Sequence, residues 1–115
     1  MVERSGAARL DHTYAALAHP VRRQILARLR DGPGTVTGLA EPFDLSLWAV
    51  SKHISVLEVA SLVRRRIEGR VHHLTLEPGP LGEASAWLQA YREFWEGRLD
   101  DLEAVLRGSR GRRPR

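Results

Sequence analysis

The chain has 115 residues, of which 43% are hydrophobic and 28% are charged, a length and balance that suit one globular domain without a second. It contains no cysteine, which excludes disulfides, thiolate metal sites and cysteine nucleophiles. It has neither a long apolar span nor the apolar run of a signal peptide. We therefore expect a cytoplasmic protein without a membrane partner.

The formal net charge of +4 is unevenly distributed along the chain. Net charges alternate between positive and negative segments: +4 for residues 1–30, −3 for 31–45, +3 for 46–73, −5 for 74–106 and +5 for 107–115. Basic residues therefore gather in the middle of the chain and at its end, with an acidic block between them. This pattern is typical of a protein with one face turned toward a polyanion.

Hydrophobic spacing predicts four helices in the first half of the chain, at about residues 9–18, 20–31, 36–41 and 47–59. Pro20 suits the first position of the second helix. Thr35 and Ser46 are good N-caps for the third and fourth. Pro42 breaks the third helix after about two turns.

The second half of the chain predicts a hairpin followed by a long helix. Leu62–Ile67 and Arg70–Leu76 have strand composition, with Glu68 and Gly69 as the turn. Helical spacing then continues from Leu81 to Leu106. The fold class is therefore mainly α with a small β-hairpin, in the order of a winged helix-turn-helix. We expect this domain to span residues 9–107, between a disordered N-terminus at 1–8 and a disordered basic tail at 108–115.

The fourth predicted helix has one apolar and one polar face. If Leu47, Val50, Ile54 and Leu57 enter the core, helical geometry turns the other face outward. That outward face comprises Trp48, Ser51, Lys52 and Ser55. It suits contacts with DNA bases and phosphates, with Ser46 opening the helix. An ordinary solvated face fits the serines and the lysine equally well, and Trp48 either packs under the hairpin or contacts DNA or a partner.

The predicted hairpin carries Arg64, Arg65, Arg66 and Arg70 around its turn. Such a basic projection can reach phosphates or enter a minor groove beside the helix. Alternatively, the charges only keep a short sheet edge from pairing with other chains.

The last predicted helix has more apolar surface than so small a core needs, because a second stripe flanks the first. We expect one stripe to form a homodimer interface; in the alternative, all of these aromatics lie in the monomer core. The predicted interface residues are Leu10, Tyr14, Trp87, Leu88, Tyr91, Phe94, Trp95, Leu99 and Leu102.

Three segments together resemble the ArsR/SmtB family of winged-helix repressors: Leu17–Leu26 (LAHPVRRQIL), Ala49–Ile54 (AVSKHI) and Leu62–Arg70 (LVRRRIEGR). The resemblance covers roughly residues 10–106. It implies a homodimer joined by its terminal helices, which binds duplex DNA and releases it when an inducer binds. It also implies groove contacts by Trp48, Ser51, Lys52 and His53, with Ser55 adjacent, and a wing containing Arg65, Arg66, Gly69 and Arg70.

The metal sites typical of that family are not matched by this sequence. Residues 35–41 contain no cysteine, and residues 80–107 contain no histidine. We therefore predict no metal and no cofactor, and the identity of any small-molecule inducer stays open. We expect the five histidines to lie on the surface or in the core, because no pair of them has metal-ligand spacing on a helix.

Enzyme activity is not predicted, because the sequence has no phosphate loop, nucleophile elbow or convergent carboxylate pair. A winged-helix module for protein interaction, without specific DNA binding, is the main alternative. Binding of structured RNA is a weaker one, since no aromatic stacking platform is evident on the hairpin.

Overall fold

A computed structural model describes the backbone of residues 5–112 and the side chains of residues 6–108. It contains five helices and three strands: α1 (Ser5–Leu17), α2 (Pro20–Arg30), β1 (Gly34–Thr35), α3 (Val36–Ala40), α4 (Leu47–Val59), β2 (Val63–Glu68), β3 (Val71–Leu76) and α5 (Gly79–Arg112). The predicted fold class, mainly helical with a β-hairpin between the fourth and fifth helices, is confirmed.

Helices α2, α3 and α4 begin at the residues that the sequence predicts, and neighbouring side chains cap their first turns. The Thr35 hydroxyl accepts a hydrogen bond from the Gly38 amide at 3.1 Å, and Ser46 Oγ accepts one from the Ala49 amide at 3.1 Å. Each cap satisfies one of the free N–H groups at a helix start. Pro20 lies in the first turn of α2, where His19 Nδ1 accepts from the Val21 amide at 3.1 Å. The capping role of His19 is an addition to the prediction.

The sheet has three strands in the order β1-β3-β2, so it has one strand more than predicted. Gly34 pairs with Leu74 and Thr35 with His73. This strand has only two residues, too few to produce an alternating pattern in the sequence. It pairs with the edge of β3 that the hairpin leaves open.

The hairpin turn lies one residue later than predicted. Glu68 pairs with Val71, so the turn residues are Gly69 and Arg70 rather than Glu68 and Gly69. Gly69 has φ +63° at the first central position, where a type II′ turn needs glycine. The glycine therefore sets the register of the hairpin and brings Arg70 to its tip.

The core lies between α2, α4 and the sheet. Its fully buried side chains include Ile25 from α2, Val50, Ile54 and Leu57 from α4, and Leu74 from β3. This confirms three of the four core positions predicted for α4.

Leu47 was predicted in the core but is 48% exposed. It is the first residue of α4, and it lines a cleft between the start of that helix and the hairpin instead of packing below it. The prediction was wrong because helical periodicity gives the direction of a side chain but not how far the core extends along the helix.

The first and last helices are longer than their hydrophobic patterns predict. Helix α1 begins at Ser5 rather than near residue 9, through two alanines that favour helix. Helix α5 runs from Gly79 to Arg112 rather than from 81 to 106. Once a helix has formed, each further residue adds a hydrogen bond without needing an apolar partner. Residues 1–4 and 113–115, which fall within the predicted disordered ends, lie outside the described residues.

Two compact units meet within α5, at the boundary between Ala84 and Ser85. In the first unit, Leu81 packs against the core and Ala84 is buried. The second unit is the remainder of the helix, and its large apolar side chains are exposed. Within the described part of the chain, no helix has the length and apolarity needed to span a membrane.

Candidate nucleic-acid interface

Helices α3 and α4 form a helix-turn-helix whose second helix has a buried side and an open side. Val50, Ile54 and Leu57 are fully buried. Trp48, Lys52 and Ser55 on the other side are exposed, and Ser51 and Ser46 lie near the hairpin end of the helix, half-buried and exposed respectively. The predicted outward face of α4 is therefore open at Trp48, Lys52 and Ser55, with Ser51 half-buried beside the hairpin.

Trp48 is 71% exposed, so it does not pack under the hairpin. The Lys52 ammonium lies 5.1 Å from the centre of the Trp48 ring, one turn further along the helix. A cation over the face of an indole ring is attracted by the ring's negative face. The pair thus presents a flat apolar ring and a positive charge side by side on the open surface.

His53 does not share this surface, although the family resemblance assigns it a groove contact. Its ring is half-buried and lies 4.2 Å from the ring of His19, and Nδ1 accepts a hydrogen bond from the Arg22 guanidinium at 3.0 Å. Burial is the main reason that the pKa of His53 is lowered, and the charges of His19 and Arg22 add to it. His53 therefore connects α4 to α2.

The lowered pKa of His53 predicts a loss of stability in acid. An unfolded histidine takes up a proton near pH 6.5, whereas the folded chain resists protonation of His53. The free energy of unfolding should therefore fall as the pH drops below about 6.5. Urea denaturation at pH values above and below about 6.5 would measure this fall. We expect His53→Gln, which keeps an acceptor for Arg22, to reduce that fall. Equal pH dependence of the wild type and His53→Gln would contradict this assignment.

Arg65 of the predicted wing is committed to contacts within the chain. Its Nε and a terminal nitrogen donate to the two Glu58 oxygens at 3.0 and 2.7 Å, and its other nitrogen lies 2.7 Å from His72 Nδ1. The hydrogen bonds to Glu58 raise the pKa of Arg65. With its side chain only 17% exposed, Arg65 holds the hairpin against α4. Sequence spacing does not show this role, because its partner Glu58 lies on another element.

The other wing residues are spread along the hairpin, from Arg64 near its base to Gly69 and Arg70 at its turn. Arg66 is exposed and pairs with Glu68 at 3.4 Å, and Arg64 pairs with Glu77 at 3.3 Å. Such surface pairs are weak and exchange readily with other anions. Gly69 and exposed Arg70 form the tip.

A cleft of about 370 Å³ joins α4 to the wing. Ser51 and Leu47 line it from α4, Arg70 lines it from the hairpin tip, and Thr37 lines it from α3. The sequence prediction did not include Thr37, whose hydroxyl adds a hydrogen-bonding group to this cleft. Serine and threonine hydroxyls beside an arginine are the groups that proteins commonly use to contact nucleic-acid phosphates.

The predicted dimer residues fall into two sets. Leu10 and Tyr14 on α1 are half-buried, and the Tyr14 hydroxyl donates to the Ala84 carbonyl at 3.0 Å. The second set lies on α5 and is exposed by between 44% and 60%: Trp87, Leu88, Tyr91, Phe94, Trp95, Leu99 and Leu102. The alternative that these aromatics fill a monomer core does not hold.

The described histidines and carboxylates do not form a metal site. Across residues 6–108, whose side chains are described, no three histidine, aspartate or glutamate side chains come together in a way that could hold a metal ion. His72 and His73 make separate contacts, with Arg65 and Glu68 respectively.

The capped helix pair, its open cationic face and the adjoining basic hairpin together define a winged helix-turn-helix of the DNA-binding class. Comparisons with known proteins agree with this class. A family model described as a helix-turn-helix domain matches residues 17–68.

Curated proteins and solved structures identify the family. The chain is 41% identical over 96 residues to the HTH-type transcriptional regulator Rv2034 of Mycobacterium tuberculosis, covering 84% of this chain and 87% of that protein. It is 27% identical over 79 residues to the transcriptional repressor SdpR of Bacillus subtilis, covering 69% and 88%. A crystal structure of an ArsR family transcriptional regulator superposes with a TM-score of 0.73 at 41% identity, covering 78% and 93%. The chain belongs to the ArsR family of helix-turn-helix transcriptional regulators.

Proposed function

We propose that this protein is a transcriptional repressor that acts in the cytoplasm and binds a near-palindromic DNA site as a homodimer. Helix α4 enters the major groove, and the tip of the hairpin contacts the adjoining backbone. The observation that carries this proposal is the open face of α4, on which Trp48, Lys52 and Ser55 are exposed while the opposite side of the same helix is fully buried. The similarity to SdpR, which is named a transcriptional repressor, supports the direction of regulation.

The start of α4 provides a site for one DNA phosphate. Ser46 caps the amide of Ala49, and the amides of Leu47 and Trp48 before it have no carbonyl partner within the helix. Free N–H groups and the positive end of the helix dipole favour an anion at this position. Ser51 and Thr37 add hydroxyls in the neighbouring cleft. This contact fixes the position of α4 on the duplex but does not distinguish sequences.

Sequence discrimination is assigned to the middle of the exposed face. Lys52 can donate to the O6 and N7 acceptors of guanine, and Ser55 can donate or accept at a base edge. Trp48 offers an apolar surface for a thymine methyl group. Arg66 and Arg70 contact phosphates or the minor groove from the wing. Arg65 is not among these contacts, because Glu58 and His72 already occupy its guanidinium.

Dimerisation uses the exposed apolar side chains of α5. A helix in water rarely leaves so many large apolar groups open, and a contiguous apolar surface marks a binding site for another protein. A second copy of the same helix covers such a surface symmetrically. The resulting dimer carries two α4 helices about 34 Å apart, matching successive major grooves on one side of a duplex.

Lys52→Ala tests the assignment of α4 to the groove. With a duplex selected from a randomised pool, we expect binding to weaken by about 1–3 kcal/mol. We also expect a smaller loss on a shuffled duplex, because a base contact acts only on the correct sequence. Electrophoretic mobility shifts on both duplexes measure the difference.

The matched control for Lys52→Ala is Arg30→Ala, which removes one positive charge from an exposed position at the end of α2. It should change both affinities slightly and equally. Equal effects of the two variants on both duplexes would remove Lys52 from the groove. Unchanged binding of both duplexes by Lys52→Ala would likewise exclude Lys52 from the interface. Weak, salt-insensitive binding of both duplexes by the wild type would instead favour a protein-interaction module.

A further inference from the structure

A second surface groove, of about 450 Å³, lies between α1, α2 and α4. It is separate from the cleft between α4 and the hairpin that is assigned to DNA. Its volume falls within the range of about 300–1,000 Å³ that is usual for small-molecule sites. None of the contacts proposed for DNA binding or dimerisation involves the residues that form the floor of this groove.

The floor of the groove is apolar and open to solvent. It is formed by Ala15 of α1 and by Val56, Val59 and Ala60 at the end of α4. Val56 is 38% exposed and Val59 is 69% exposed. These two exposed valines lie one turn apart, beside exposed Ala15. Together they form a small apolar patch that an apolar ligand would cover favourably.

The titratable groups around this floor are all basic. His12 reaches it from α1, Arg22 from α2, and Lys52 and His53 from α4. Among the described residues, no carboxylate forms an ion pair with any of these four groups. The groove therefore combines an apolar floor with positive charge that no carboxylate among residues 6–108 neutralises through an ion pair.

Arg22 is held in a fixed orientation at the wall of the groove. It donates to the carbonyls of Ala16 at 2.8 Å and Ala15 at 3.1 Å, and to His53 Nδ1 at 3.0 Å. These contacts leave further N–H groups on the guanidinium. Because Nδ1 of His53 accepts, the neutral ring carries its proton on Nε2 and can donate it as well. An arginine positioned in advance loses little entropy when it binds an anion.

We propose that this groove binds a small organic carboxylate with an apolar body, such as a short aliphatic or aromatic acid. The carboxylate pairs with Arg22 and His53, and the apolar body covers Val56 and Val59. A neutral apolar molecule would leave the positive charge unpaired, and a small inorganic anion would leave the valines exposed.

Binding in this groove also affects the DNA-binding face, in a step that rests on the proposed function. Lys52 and Ser55 line the groove and also belong to the open face of α4. A carboxylate that draws the Lys52 ammonium toward Arg22 removes it from the Trp48 ring and from a base edge. Ligand and operator then compete for the same lysine, so the ligand acts as an inducer.

The first arm of the test uses the full chain without DNA. Calorimetric titration with octanoate, octanol and acetate should give saturable binding for octanoate and at least tenfold weaker binding for the other two. Amide chemical shifts should change at His53, Val56 and Val59. Equal binding of octanoate and octanol, no binding of octanoate, or shift changes confined to other residues would overturn the site.

Val59→Glu provides the decisive variant for this site. Val59 is largely exposed and belongs to neither the proposed DNA contacts nor the proposed dimer contacts, so circular dichroism should match the wild type. Because the added carboxylate can itself attract Lys52, the duplex affinity of this variant without octanoate serves as its own reference. Octanoate binding should fall at least tenfold, because the added carboxylate repels the ligand. Ala27→Glu, at an exposed position of α2 outside the groove, should retain it. Undiminished octanoate binding by Val59→Glu would contradict the proposal.

The second arm adds the selected duplex. Octanoate should weaken duplex binding by the wild type at least tenfold and leave duplex binding by Val59→Glu unchanged. Octanoate binding without any effect on the duplex would overturn competition for Lys52 while retaining the site. Because the first arm contains no DNA, failure of the proposed function would appear only in the second.

Discussion

Replacement of Trp95 by glutamate is expected to convert the proposed dimer into monomers. Trp95 is 60% exposed and lies in the middle of the apolar surface of α5. In a symmetric interface the substitution would bury two carboxylates without partners, and each isolated buried charge costs several kcal/mol. A single α4 would then bind one half-site, which loses the gain from linked sites of about 10²–10⁴-fold in affinity. Sedimentation equilibrium and fluorescence anisotropy measure the two effects.

Trp95→Phe is the matched control, because it keeps an apolar ring at the same position. We expect it to remain dimeric and to bind the selected duplex with affinity close to that of the wild type. Circular dichroism should show the same helix content in all three proteins. Dimers of Trp95→Glu at micromolar concentration would show that the interface lies elsewhere.

Ile54→Ala is expected to reduce the free energy of unfolding by about 2–5 kcal/mol, the usual cost of truncating a fully buried isoleucine. Ile54 is 0% exposed and is surrounded by core residues. The same helix carries the DNA-binding face, so the cavity should also loosen the position of that face. Urea denaturation measures the loss of stability directly.

Val59→Ala is a control on the same helix, because Val59 is 69% exposed and its truncation leaves no internal cavity. It should change the free energy of unfolding by less than about 0.5 kcal/mol. A loss from Ile54→Ala no larger than that from Val59→Ala would mean that α4 does not cover the core as described.

The parts of the fold that were predictable depend on interactions between residues close in sequence. Thr35 and Ser46 cap helices within three residues of themselves. Val50, Ile54 and Leu57 repeat at helical spacing, which shows the buried side of α4 without knowledge of its neighbours. The order of elements followed from these local signals, and with it the winged helix-turn-helix class.

The parts that were not predictable depend on contacts between distant segments. Strand β1 exists because β3 offers an open edge about 40 residues later. Arg65 was predicted as a phosphate contact, but it pairs with Glu58 on another element. His53 was assigned to the groove through the family resemblance, yet it lies against Arg22 and His19. Composition showed the positive charge, but it did not show which arginines are engaged in contacts within the folded chain.

The groove between α1, α2 and α4 could not be predicted from the sequence either. Its basic groups come from three helices whose residues are spread from His12 to His53, and no spacing pattern connects them. Only the folded chain brings them around two exposed valines.

In the proposed function, α4 and the hairpin recognise a particular DNA sequence. Fluorescence anisotropy of the wild-type protein on the selected duplex and on its shuffled counterpart, across a salt series, tests it most directly. We expect tighter binding to the selected duplex at every salt concentration, with affinity falling roughly 10³-fold or more between about 50 and 200 mM salt as phosphate contacts are lost. Equal, weak binding to both duplexes with little dependence on salt would contradict it.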